Sequence, residues 1–247
     1  VFRSVNGSPS RNIAKVLEMM GGVESLIDRD AVVVIKPNAQ WWNQGGPNLA
    51  ALKTLVESIM ERPGGFQGEV VLAENIHRGG RPWENVYSGW VPRFVRNSDL
   101  PDIHNLNELS LHLKERFGDK FSVCHLIDVE DGARRVFGPA DGNGYVYCEG
   151  TGGVPLVSYE NGARGANHRT VIMTYPIMTT DRGTVIDLKN GIWEQGSYTA
   201  RPLKFINLAS LNHHSGYCGA TSAVKNYLGV TDMSGGHGSA DPSDNGK

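Results

Sequence analysis

Unbroken apolar runs alternate along the chain with stretches in which apolar residues recur every three or four positions. Residues 31–35 read Ala-Val-Val-Val-Ile, a β-branched run with no polar alternation, which is the pattern of a strand buried on both faces. Residues 69–73 read as a second buried strand, 121–127 as a third strand and 201–209 as a fourth. Between and before them lie helical periods. Ile13, Val16, Leu17 and Met20 predict a helix over 10–20, capped by Ser10 and closed by Gly21 and Gly22. Leu49, Leu52, Leu55, Val56 and Ile59 predict a second over 48–62, ended by Pro63, and Leu109, Leu113 and Phe117 a third over 107–117. The first two strands and the helix between them form a β-α-β unit, for which a right-handed crossover is expected.

From 132 to 199 the pattern changes to short strands, at 145–148, 170–174 and 185–188, separated by glycine-rich turns. Such spacing predicts antiparallel hairpins, and we read them as a β-rich insertion covering one end of the sheet. The expected fold is therefore α/β: a Rossmann-like, three-layer, open and mostly parallel sheet in a single domain over 1–232. Residues 233–247, rich in Gly, Ser and Asp, are expected to form a flexible tail.

Composition narrows the partners. A net charge of −2 over 247 residues leaves no basic surface for nucleic acid or an anionic membrane. No apolar run reaches the ~18 residues of a membrane-spanning helix. The three cysteines, Cys124, Cys148 and Cys218, have neither zinc-ribbon spacing nor an even count. No Gly-x-Gly-x-x-Gly follows a strand, and no phosphate-binding loop motif occurs, so NAD and FAD are not expected. A chain that begins at Val1 fits the loss of an upstream segment such as a signal peptide, so both a cytoplasmic and an exported location are compatible with it.

Candidate chemistry collects where the strands end, which is where open α/β sheets bind ligands. Lys36 and Asn38 follow the first strand, Glu74 and His77 the second, Asp128 the third, and His213 and His214 the fourth. A short helix carrying Lys225 and Asn226 is expected just beyond. In this reading Lys36 and Lys225 hold an anion, Glu74 or His214 moves a proton, and Asn38 and Asn226 orient the ligand through amide hydrogen bonds. A divalent metal on His77, His214 and Asp128 is compatible with the same set. Each group also has a plain structural reading: a solvated strand-end lysine, an Asx turn at Asn38, a capping carboxylate at Glu74. Cys124 and His125, inside an apolar strand, read as core residues.

Two segments carry a family resemblance. Residues 208–229, LASLNHHSGYCGATSAVKNYLG, resemble the signature of the domain-of-unknown-function 362 family through His214, Thr221, Ala223, Lys225, Asn226 and Gly229. Asn212, His213 and Ser222 stand where that family usually has Lys, Thr and Gly. The run VVVIKPN over 32–38 resembles its first strand and Lys-Pro-Asn end. The resemblance implies a Rossmann-like fold and adds Thr221 to the substrate-binding candidates, but it implies no settled activity. The leading expectation is an enzyme acting on a small carboxylate or phosphate. The alternative is a non-catalytic ligand-binding module or an assembly subunit, including a homo-oligomer, with tryptophans of its loops facing outward.

Overall fold

The computed structural model describes residues 6–39, 46–74, 90, 98–126, 135–147, 157–160, 168–171, 174–214, 219–221, 223, 225–227 and 230, with backbone alone at 157–160, 168–171, 212–214, 219–221 and 225. Helix α1 spans Pro9–Met19 and a single turn, α2, spans Val23–Leu26. Strand β1 (Val32–Pro37), helix α3 (Leu49–Met60), strand β2 (Glu69–Glu74), helix α4 (Leu106–Phe117) and strand β3 (Phe121–His125) follow. Polar side chains start the helices. Ser8, rather than Ser10, accepts from the Arg11 N–H, and Asn48 accepts from those of Ala50 and Ala51. At α4, Asn105 accepts from Glu108 N while Glu108 reaches back to His104 N, so two otherwise orphaned donors are satisfied reciprocally.

The β-rich region supplies β4 (Arg135–Val136), β5 (Gly144–Tyr147), β6 (Val157–Glu160), β7 (His168–Val171), β8 (Thr174–Thr179), β9 (Val185–Asp187), β10 (Gly191–Glu194) and β11 (Ser197–Tyr198). The strand expected over 170–174 is thus the end of β7 and the start of β8. Strand β12 (Leu203–Leu208) returns to the first sheet, and β13 (Asn212–His214) pairs antiparallel with β14 (Gly219–Thr221).

Strands β12, β1, β2 and β3 form, in that order, an all-parallel sheet, whereas β11, β10, β9, β8, β5 and β4 form a mixed one. The chain is therefore a mixed α/β protein. Its two cores follow from strand alternation. Val33, Ile35, Val70, Leu72 and Phe121 face α3 and α4, while Val32, Val34, Val71, Ala73 and Cys124 face Met178, Ile186 and Ile192 of the second sheet. The continuous apolar runs are explained: every residue of β1 and β2 is buried because one face meets helices and the other meets a sheet. One expectation is corrected here: the β-rich region lies across a face of the parallel sheet rather than over its end. Trp90 is fully buried in the helix-side core, not outward as the assembly alternative has the loop tryptophans. Among the described residues, no helix is long and apolar enough to cross a membrane.

Candidate functional site

The order β12-β1-β2-β3 reverses at β1. From there the chain steps to β2 and β3 on one side, then returns to the other side as β12. In open α/β sheets the ligand crevice lies outside the carboxyl ends at such a reversal. Lys36 of β1 and Asn207 of β12 are register partners at that place.

Lys36 does not end the strand, as its sequence suggests; it lies within it and is 1 % exposed. Its ammonium donates to Glu74 Oε1 at 2.5 Å, to the Pro37 carbonyl at 3.0 Å and, more loosely, to Asn226 Oδ1 at 3.5 Å. Burial pushes the lysine pKa below its ordinary value, and the charge and hydrogen bond of Glu74 oppose that fall. Glu74 is also fully buried and takes the Ala39 N–H on Oε2 at 2.7 Å. Alternation places Lys36 with the residues facing the second sheet and Glu74 with those facing the helices, so the pair closes over the lip between β1 and β2.

Asn226 completes the arrangement. Its Nδ2 donates to the Lys36 carbonyl at 2.8 Å and to Asn207 Oδ1 at 2.6 Å, while Asn207 Nδ2 donates to the Ala223 carbonyl. The amide thereby wedges the segment after β14 into the ends of β1 and β12. Next to it, Tyr227 stacks on Phe205 with ring centroids 5.9 Å apart.

The third strand ends in His125, whose ring meets Trp90 edge-on at 4.6 Å. Its Nε2 is buried without a hydrogen-bond partner. Burial pushes the imidazole pKa down to about 4, with Asp181 acting weakly against the fall.

The structure thus brings together Lys36, Glu74 and Asn226 among the sequence candidates, and Asn38 follows directly on the strand end. The helix expected to carry Lys225 is instead a single 3-10 turn, Lys225–Tyr227, too short to offer an N-terminal anion site. The expected strand-turn-helix is corrected accordingly: Asn212–His214 and Gly219–Thr221 form a hairpin, with His214 opposite Gly219 and Thr221 opposite Asn212. For His213, His214, Thr221 and Lys225 the backbone is described. His77, Asp128, Cys218, Trp41, Trp42 and Trp83 lie outside the described residues. Among the described residues no three His, Cys, Asp or Glu side chains gather as metal ligands would.

Asn207 was not among the candidates. Its signal is that it interrupts the apolar run Phe205-Ile206-Asn207-Leu208-Ala209, where a polar side chain in a strand bound for the interior needs a partner.

No protein-family model matches the chain, and neither a curated protein nor a solved structure does.

Proposed function

We propose that the protein is an enzyme acting on a small carboxylate or phosphate at the carboxyl ends of the parallel strands. The observation that carries this reading is the buried Lys36–Glu74 pair at the reversal of strand order. Two apolar side chains would fill that space without desolvating charges, and such replacements are often neutral or stabilising. A charged pair kept there is accounted for by its use. A ligand anion entering the crevice would replace Asn226 Oδ1, the longest of the three contacts on the ammonium. Lys36 and Lys225 then hold the anion, Glu74 or His214 transfers the proton, and Asn38, Thr221 and Asn226 orient the substrate. A divalent metal on His77, His214 and Asp128 belongs to the same reading, and the metal content of the purified protein decides it. Kinship with the domain-of-unknown-function 362 family and a Rossmann-like fold are part of the proposal, supported by the VVVIKPN run and by the strand order.

One observation favours a second reading, a non-catalytic binding or assembly subunit: all three ammonium protons already have acceptors within the protein. Calorimetric titration with acetate and inorganic phosphate tests the anion site at Lys36 that the enzyme reading requires and an assembly role does not. The enzyme reading expects millimolar binding that weakens at least tenfold in Lys36→Met. Equal binding by both proteins, or none by either, overturns it.

A further inference from the structure

Four buried polar atoms have no hydrogen-bond partner among the described residues: Arg62 Nε, Ser110 Oγ, His112 Nε2 and His125 Nε2. The first three belong to the helical layer, just past α3 or on α4. His125 alone lies at a carboxyl strand end, and it is the register partner of Glu74. Phe121 and Val123, four and two positions before it, pack in the helix-side core, as do Val70 and Leu72 before Glu74. Strand alternation therefore sets imidazole and carboxylate side by side on that face, one strand apart.

Beside a free carboxylate an imidazole gains a proton and pairs with it. Here both oxygens of Glu74 are already engaged, one by Lys36 and one by the Ala39 N–H. Trp90, fully buried, presses on the imidazole edge-on. The ring consequently stays neutral, with one nitrogen donating and the other accepting. A buried polar atom left unpaired is costly, and that cost disappears when a ligand supplies the missing partner.

We infer that His125 is a further ligand-binding residue of the strand-end site, its Nε2 meeting an uncharged hydroxyl or carbonyl that the substrate carries beside its anionic group. This rests on the enzyme reading above and narrows its substrates to hydroxy or oxo acids and their phosphorylated counterparts. The division of labour is chemical. Lys36 takes the charged end, whereas a neutral, desolvated imidazole against an indole favours an uncharged group.

Glycolate and acetate differ by one hydroxyl and serve as the probes. In calorimetric titrations the wild type should bind glycolate about tenfold more tightly than acetate, the yield of one well-made hydrogen bond. His125→Phe, which keeps an aromatic ring against Trp90, should erase that preference and leave acetate binding unchanged. Lys36→Met should weaken both. In the 15N spectrum of the wild type, the His125 Nε2 resonance should shift with glycolate and stay in place with acetate, a readout independent of how the variant folds. Equal affinity for the two probes, a preference that survives in His125→Phe, or an unmoved resonance overturns the inference while leaving the enzyme reading intact. Binding of neither probe overturns both.

Discussion

Strand β2 begins and ends with a fully buried glutamate, and the two are held in opposite ways. Glu69, at the amino end, accepts the hydroxyls of Ser122 and Thr184, both at 2.6 Å, and forms no salt bridge among the described residues. Thr184 precedes β9, so this carboxylate stitches the parallel sheet to the sheet lying across it. Glu74, at the carboxyl end, has a lysine and a backbone N–H and binds neighbouring strand ends to each other. One residue type on one strand thus serves as a neutral-donor clamp between layers at one end and as half of a charge pair at the other. The partner, not the glutamate, makes the difference. Only the carboxyl end combines charge with the place where the strand order reverses.

The sharpest way to break this contrast is to remove the charge from one end. Lys36→Met leaves Glu74 buried without its cation and should cost roughly 3–5 kcal/mol in chemical denaturation. Adding Glu74→Leu should restore most of that loss. A single variant as stable as the wild type would show that the two ends are alike. Glu69→Gln should be milder, roughly 1–3 kcal/mol, because one acceptor oxygen remains while an NH2 replaces the other beneath a hydroxyl donor. A loss equal to that of Lys36→Met would mean that Glu69 also works as a charge.

Acid should produce the smallest change over any one pH unit. His125 is neutral in the fold down to about pH 4, whereas in the unfolded chain a histidine takes up its proton near pH 6.5. Between those values the unfolded state binds more protons, so this contribution is complete above about pH 6.5 and shrinks as pH falls towards 4, by at most about 1.4 kcal/mol per pH unit and roughly 3 kcal/mol in all. Denaturation midpoints measured across that window should slope in the wild type and flatten in His125→Phe. Parallel slopes would remove His125 as the cause.

Much of the frame was legible because it depends on local pattern. The β-branched runs at 31–35 and 69–73 predicted strands buried on both faces, and both are. The stripe from Leu49 to Ile59 predicted α3 to within a few residues. What the pattern could not convey is which surface a hairpin meets. Short alternating strands between glycines announce an antiparallel sheet, but the covering of Val32 and Val34 by Ile186 and Ile192 is a tertiary fact. The site was half legible for the same reason. Lys36 and Glu74 could be picked out as polar residues at strand ends, yet the burial of Lys36 depends partly on Asn226, 190 residues away. Residues 208–229 misled because an apolar strand leading to polar residues fits a helix entry as well as a hairpin; the glycines around Gly219 favoured the hairpin.

The pairing of β1 with β12 also bears on how the protein is made. Val32 lies beside Leu203, so one edge of the strand that organises the sheet has no neighbour until about 170 further residues have been synthesised. At ~5–20 residues per second that wait is roughly 10–30 s. Meanwhile Val-Val-Val-Ile presents an open, apolar strand edge, a template for association with other nascent chains. The protein's dependence on molecular chaperones should therefore be set by the interval between synthesis of its first and last parallel strands.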